Sequence, residues 1–311
     1  MAALFYHLKY NVYMKKLFVT LAMATIALTS QAQLLYKISG NELEKPSYVV
    51  GTHRLAPAAM AQLINGISDA LNGTDQMYGE LNVDMATADA SQTVKEASTL
   101  AGGKTIQQLL SADELKRFNG FLMKTQGQDL RNRMLAAKIE KKTPAALARE
   151  MKIWLYLSNH RGTYDPMSQI DAYFVQLAKK NNMPMFGMET VEEYANGVYK
   201  SASETRQKEL MMCLVDHQQF YQKQMDNVLN GYMLQNMNTI EQALNEKIGG
   251  NCDATAEEVN VCQERVAKWA QKMPDIMKKA PTLFVISIEK LPGEKGILQL
   301  LRDAGYTVTG M

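Results

Sequence analysis

The chain has 311 residues, with 34 Lys and Arg against 32 Asp and Glu, and 46% of it is hydrophobic. That length and apolar share can bury one large core or a core with an elaborate insertion. A formal net charge of +2 gives no support for nucleic-acid binding, which draws on a concentrated basic surface.

From Met14 the chain reads MKKLFVTLAMATIALTSQAQ, with two lysines, an apolar run from Leu17 to Leu28, then Ser30, Gln31 and Ala32 before Gln33. This is the pattern of a secretory signal peptide with small residues at the cleavage site. The apolar run is shorter than the ~20 residues a membrane span requires. Residues 1–32 are therefore expected to be removed, with Met14 rather than Met1 as the initiator, leaving a single domain over 33–311. Losing Lys9, Lys15 and Lys16 takes the basic count from 34 to 31 against 32 acids, a net charge near −1. The protein is expected to be periplasmic or secreted.

Residues 34 to about 85 read as strands with short helices: LLYKIS, SYVVGTH, a helical AAMAQLINGISDALN, and DQMYGELNV. From about 88 to 280 apolar residues recur at i, i+3, i+4 spacing, which predicts a large helical region. Ser111 followed by Glu114 predicts a capped helix start. Within this region MPMFGMET reads as a short strand. PTLFVISIEKLPG then gives another strand, GILQLLRDA a helix stopped by Gly305, and YTVTGM a last strand. The expected class is α/β, with a mixed central sheet completed by the two terminal segments around the helical middle. The 21 methionines, many at helical spacing, are read as core filling.

Cys213, Cys252 and Cys262 allow one disulfide in an oxidising compartment and leave one thiol over. Cys252 lies in the turn-like GGNCDAT and is the favoured partner for either of the other two. No CxxC or Cys/His metal spacing occurs.

Laying Tyr48–Leu55 over Phe284–Leu291 aligns two apolar strands, each followed by a basic residue and Leu. This places Arg54 and Lys290 at corresponding strand ends. In open α/β sheets that edge is where ligands bind. Glu80 and Glu189 also end apolar strands just after a glycine. Buried carboxylates need a metal, a cation or hydrogen bonds to compensate them.

The order LLYKISG, PSYVVGTHRL, YGELNVD, IDAYFVQLAKKNNMPMFGMETVEEY, ERVAKW and LPGEKGILQLLRDAGYTVTGM resembles the TraB/GumN family. That family is related to the TIKI metalloproteases and more distantly to the EreA/ChaN-like fold. The resemblance implies two GxxH motifs, an early strand-ending Glu and an Arg-Asn-x-x-Trp segment. In the TIKI branch, as the resemblance implies, the two histidines and the glutamate form a divalent-metal peptidase site. Glu80 matches the early glutamate, Asp171 and Glu189 match acidic positions, and Arg265 and Trp269 match the later segment, where Val266 replaces Asn.

Both decisive histidines are altered. Arg54 stands at the first GxxH histidine position and Lys290 at the second, where Ser287 also replaces the glycine. A guanidinium cannot ligate a cation, and a lysine does so only after losing its proton. The expectation is a degenerate metal site in which Arg54 and Lys290 neutralise Glu80 and Glu189. The chain is then a non-catalytic scaffold or a binder of a peptidic or anionic ligand, with no cofactor. His53, Arg54, Glu80, Asp171, Glu189, Arg265 and Lys290 are its expected binding residues. The alternative is a peptidase or other hydrolase using manganese, cobalt or zinc on shifted ligands, His53 and Glu80 first, with Glu80 catalytic. A third possibility is an envelope interaction through the long helical region.

Overall fold

The computed structural model describes residues 33–81, 88–160, 162 and 168–311. The expected leader, residues 1–32, lies outside them. The six strands are β1 (Leu35–Ser39), β2 (Ser47–Thr52), β3 (Gln76–Leu81), β4 (Met185–Glu189), β5 (Thr282–Ser287) and β6 (Thr307–Gly310). They form one sheet in the order β4-β3-β5-β2-β1-β6. β2, β5, β3 and β4 run parallel, while β1 is antiparallel to both β2 and β6. The terminal segments complete the sheet as expected: Tyr36 pairs with Gly310 and Ile38 with Val308. β2 is buried along its whole length, as expected of a parallel strand covered on both faces.

The helices are α1 (Ile67–Asn72), α2 (Ala88–Ala97), α3 (Ile106–Leu109), α4 (Ala112–Gln126), α5 (Arg133–Ile139), α6 (Pro144–Asn159) and α7 (Ile170–Lys180) before β4. Between β4 and β5 come α8 (Val191–Tyr199), α9 (Glu204–Asp216), α10 (Gln218–Met233), α11 (Met237–Asn245) and α12 (Ala256–Lys279), and α13 (Ile297–Asp303) precedes β6. Their starts follow the sequence chemistry. Ser111 and Glu114 cap α4 reciprocally, and Thr190 with Glu193 and Thr255 with Glu258 do the same for α8 and α12. Among the described residues no helix is long and apolar enough to cross a membrane.

Two apolar clusters hold these elements. One joins the sheet, through Val49, Val50, Phe284 and Ile286, to Phe174, Tyr232 and Trp269 from the covering helices. The other is mainly helical, with Phe118, Phe121, Leu147, Met151, Leu155 and Met211 inside. Met60, Met77, Met188, Met273 and Met277 are likewise buried, so these methionines fill core as read from their spacing. Cys213 at the end of α9 is bonded to Cys252, and Cys262 on α12 is an exposed free thiol.

Candidate functional site

The four parallel strands bring their C-terminal ends to one edge of the sheet, and most of the ionisable groups singled out in the sequence gather there. Thr52 of β2 pairs with Ser287 of β5, and Leu81 of β3 with Glu189 of β4. His53 and Arg54 follow β2 directly. Glu289 and Lys290 sit in the short turn after β5. Gly51 is needed at its position: a Cβ there would lie 2.2 Å from Ile288 Cδ1 and 3.0 Å from Leu291 Cδ1. Its carbonyl accepts a 2.7 Å hydrogen bond from the Tyr232 hydroxyl, which ties α10 to the end of β2.

Two ion pairs occupy this edge. Lys290 Nζ donates to both Glu80 oxygens, at 2.9 and 3.1 Å, and the Ser287 N–H donates to Glu80 Oε1 at 2.8 Å. Arg265 of α12 grips Glu189 through both a 2.8 Å Nε–Oε2 bond and a second bond to Oε1. The indole of Trp269 lies beneath both cations, 5.4 Å from Lys290 Nζ and 5.0 Å from Arg265 Cζ. Arg265 Cζ also lies 5.8 Å from the Tyr194 ring, and the Tyr194 hydroxyl accepts from Arg149 at 3.4 Å. Charge-assisted, two-pronged pairing of this kind compensates the burial of a carboxylate; the Glu189 side chain is only 4% exposed.

A second group of charges lies beside these pairs. Arg54, Lys152, Asp171 and Glu289 all keep solvent-exposed surface. Yet the surrounding protein withholds bulk water so far that desolvation is the foremost influence on Lys152, Asp171 and Glu289. Burial pushes the Asp171 carboxyl up, with nearby Glu80 acting the same way, against the Thr52 hydroxyl and the cations Arg54 and Lys290. For Glu289 burial also pushes upward, but His53, Lys152, Lys290 and Arg54 together win and hold it below the usual carboxylate range. Lys152 is lowered by burial, opposed by Glu289 and reinforced by Arg149 and Arg54.

His53 forms part of the wall behind this group. It is 6% exposed, its ring centroid stands 5.8 Å from that of Tyr232, and its Nε2 has no hydrogen-bond partner. Burial lowers its pKa below 6.5, opposed by Glu289 and reinforced by Arg54. The imidazole is therefore neutral at neutral pH.

All seven residues expected from the sequence reach this region, but not in the expected pairing. Lys290 takes Glu80 as anticipated, whereas Glu189 goes to Arg265. Arg54 forms no direct ion pair with a described residue and instead faces Glu289 and Asp171 through space. Sequence reasoning missed Arg149, Lys152, Tyr194 and Tyr199, and passed over Glu289 although it lies in the quoted strand-end stretch. Arg149 and Lys152 are three apart on α6, a spacing that puts them on one face, but nothing local says which face meets the sheet edge. A cavity of about 650 Å³ lies among residues including Leu100, Thr143, Tyr199 and Gln207, and none of the residues expected from the sequence lines it. Among the described residues no three His, Cys, Asp or Glu side chains are grouped so as to hold a metal ion.

A family profile described as the TraB/PrgY/gumN family matches residues 34–310. No curated protein and no solved structure matches the chain significantly.

Proposed function

The chain belongs to the TraB/PrgY/gumN family, and from that premise we propose that it is an exported, non-catalytic member. In it, ion pairs stand where the family resemblance places a divalent metal. The observation that carries this is the Lys290–Glu80 contact. The carboxylate matched to the family's early glutamate spends its lone pairs on an ammonium at 2.9 and 3.1 Å and on a backbone N–H at 2.8 Å. A divalent ion brought to Glu80 would meet that ammonium and, nearby, Arg265. At ~4 Å and an effective dielectric near 20 each pair of unit charges repels by about 4 kcal/mol, and a double charge doubles it. The residues present do not fit such an ion, and no hydrolytic step is derived through one.

Export rests on the leader pattern of residues 1–32, and the Cys213–Cys252 bond accords with an oxidising compartment. The role this reading leaves to the strand edge is binding, at the charged groups that end β2 to β5.

One observation favours the second reading, a hydrolase with shifted metal ligands. His53 is neutral and its Nε2 lone pair or N–H is uncommitted. A metalloenzyme would need that nitrogen to meet Glu80, which is already held by Lys290.

The test restores the inferred ligands. Arg54→His combined with Lys290→His should take up manganese, cobalt or zinc and gain melting temperature with it, because a ligand bound only by the folded state stabilises it. The unaltered protein should show neither effect. A folded double variant with no gain would break the equivalence of the two strand ends.

A further inference from the structure

β4 closes one side of the sheet, and among the described residues β3 is its only neighbouring strand. The Met77 N–H donates to the Pro184 carbonyl at 2.9 Å, and Tyr78 pairs with Phe186. Backbone groups alternate sides along a strand, so Pro184 and Phe186 turn theirs to β3 while Met185 and Gly187 turn theirs outward. Such an outward row is a template for another strand, and folded proteins commonly blunt it with a charge, a bulge or a proline. β4 carries no charge before Glu189, whose carboxylate is already held by Arg265. Pro184 does not blunt the edge either, because the N–H it lacks belongs to the β3 side. At the opposite side of the sheet, β6 alternates exposed Thr307 and Thr309 with half-buried positions and has no aromatic residue.

Side chains and charge around this edge follow one pattern. Phe186 is 41% exposed, its ring centroid is 5.1 Å from that of Tyr78, and Tyr78 is 5.9 Å from the buried Phe284. An aromatic row thus runs from the core to the rim of the sheet and stops at a ring open to solvent. The charges at the two ends of the strand have opposite sign. Lys179 and Lys180 end α7 ahead of β4, and Glu192 and Glu193 open α8 after it. All four are exposed. Lys179, Lys180 and Glu192 form no ion pair with a described residue. Lys180 and Glu192 lie six residues to either side of Phe186, and Lys179 and Glu193 seven.

We propose that two copies of this chain associate through β4, antiparallel and centred on Phe186, so that their two six-stranded sheets become one. A two-fold axis through Phe186 sets Met185 of each copy against Gly187 of the other, which joins the two outward rows of backbone groups. Residues directly opposite in an antiparallel pair share a face, so the two Phe186 rings meet and the aromatic row continues across the joint. The same axis brings the lysine end of each copy to the glutamate end of the other, twice. A parallel pairing would set like charges together, and a partner of one sign would answer only one end of the strand. The contact is one five-residue strand per copy, well short of a standard interface, so dissociation is expected on the order of 10 µM. This association does not depend on what the C-terminal ends of the strands bind.

The experiment is sedimentation velocity of the purified protein from submicromolar to submillimolar concentration, with Cys262→Ser throughout so that the exposed thiol cannot cross-link copies. A reversible monomer–dimer equilibrium is expected. Phe186→Lys, which opposes two like charges at the axis, should weaken it about tenfold or more, and at dilute concentration this exposed position should leave the melting temperature within a few degrees. Lys180→Glu and Glu192→Lys should each weaken the dimer at low salt, and the two combined should recover most of the loss, because the ends of the strand then exchange sign. Phe186→Cys should yield a disulfide-linked dimer on oxidation, and Thr309→Cys at the other edge should not. A monomer at every concentration, or a dimer indifferent to Phe186→Lys, overturns the proposal. So does cross-linking through residue 309 but not 186, or a double charge variant as weak as its worse parent.

Discussion

At the scale of single residues, the strand edge turns on which carboxylate each cation holds. Glu80 and Lys290 have side chains 21% and 16% exposed, so the pair is screened incompletely and is stronger than a surface ion pair. Lys290→Met should cost about 1–3 kcal/mol in denaturant unfolding, much of it the penalty of leaving Glu80 without its cation. Adding Glu80→Gln should recover part of that loss. A double variant whose loss equals the sum of the two singles would show that the residues do not interact. His53 makes a pH prediction. Its folded pKa is lowered by burial below 6.5, against opposition from Glu289 and with help from Arg54. A group with a depressed folded pKa contributes stability that is present above its unfolded value and lost as pH falls through its folded value. Stability should therefore decline as pH drops below about 6.5, the unfolded value, and His53→Asn should flatten that segment of the curve. An unchanged slope in the variant would show that another group titrates there. Glu80 and Lys290 were legible in the sequence because each ends an apolar strand with a charge that needs an answer. Arg149 and Lys152 were not, since a cation on an amphipathic helix looks the same whether it faces bulk water or a neighbouring aromatic ring.

Among the elements, the junction of β2 with the turn after β5 is closely packed at Gly51. A Cβ on residue 51 would enter the space of Ile288 and Leu291, so Gly51→Ala should destabilise by about 1–3 kcal/mol through overpacking. It should also disturb the carbonyl that Tyr232 holds at 2.7 Å. A melting temperature equal to that of the unaltered protein would mean that the turn shifts freely. The overlay of Tyr48–Leu55 on Phe284–Leu291 set Gly51 beside Ser287, but the ladder pairs Gly51 with Ile286 and Thr52 with Ser287. A motif alignment matches chemical roles along each chain, whereas register is set by backbone hydrogen bonds and by which side chains face the core. The one-residue offset leaves both polar ends at the same edge. Helix starts were legible because caps are local chemistry: Ser111 with Glu114 closes the box that the spacing implies. Disulfide choice was not, since Cys213 and Cys252 are 39 residues apart and are brought together by tertiary packing. Replacing both with Ala should cost about 2–4 kcal/mol, seen as a lower melting temperature that reductant no longer changes. Equal melts with and without reductant in the unaltered protein would argue against the bond.

Over the whole molecule, strands at both ends of the chain enclosing a helical middle were readable from periodicity alone, and the sheet order closes them as expected. What could not be read was that the helical middle lends its cations to the sheet edge, through α6 and α12. That depends on how a largely separate helical core, built on Phe118, Leu147 and Met211, is set against the sheet. Among the described residues the resulting edge carries two closed ion pairs, Lys290–Glu80 and Arg265–Glu189. The most direct measurement is the metal content of the purified protein after incubation with manganese, cobalt and zinc and then desalting. If Lys290 and Arg265 stand in place of the metal, well-folded protein should retain none. Near-stoichiometric retention abolished by Glu80→Ala would contradict this and point to ligands shifted toward His53.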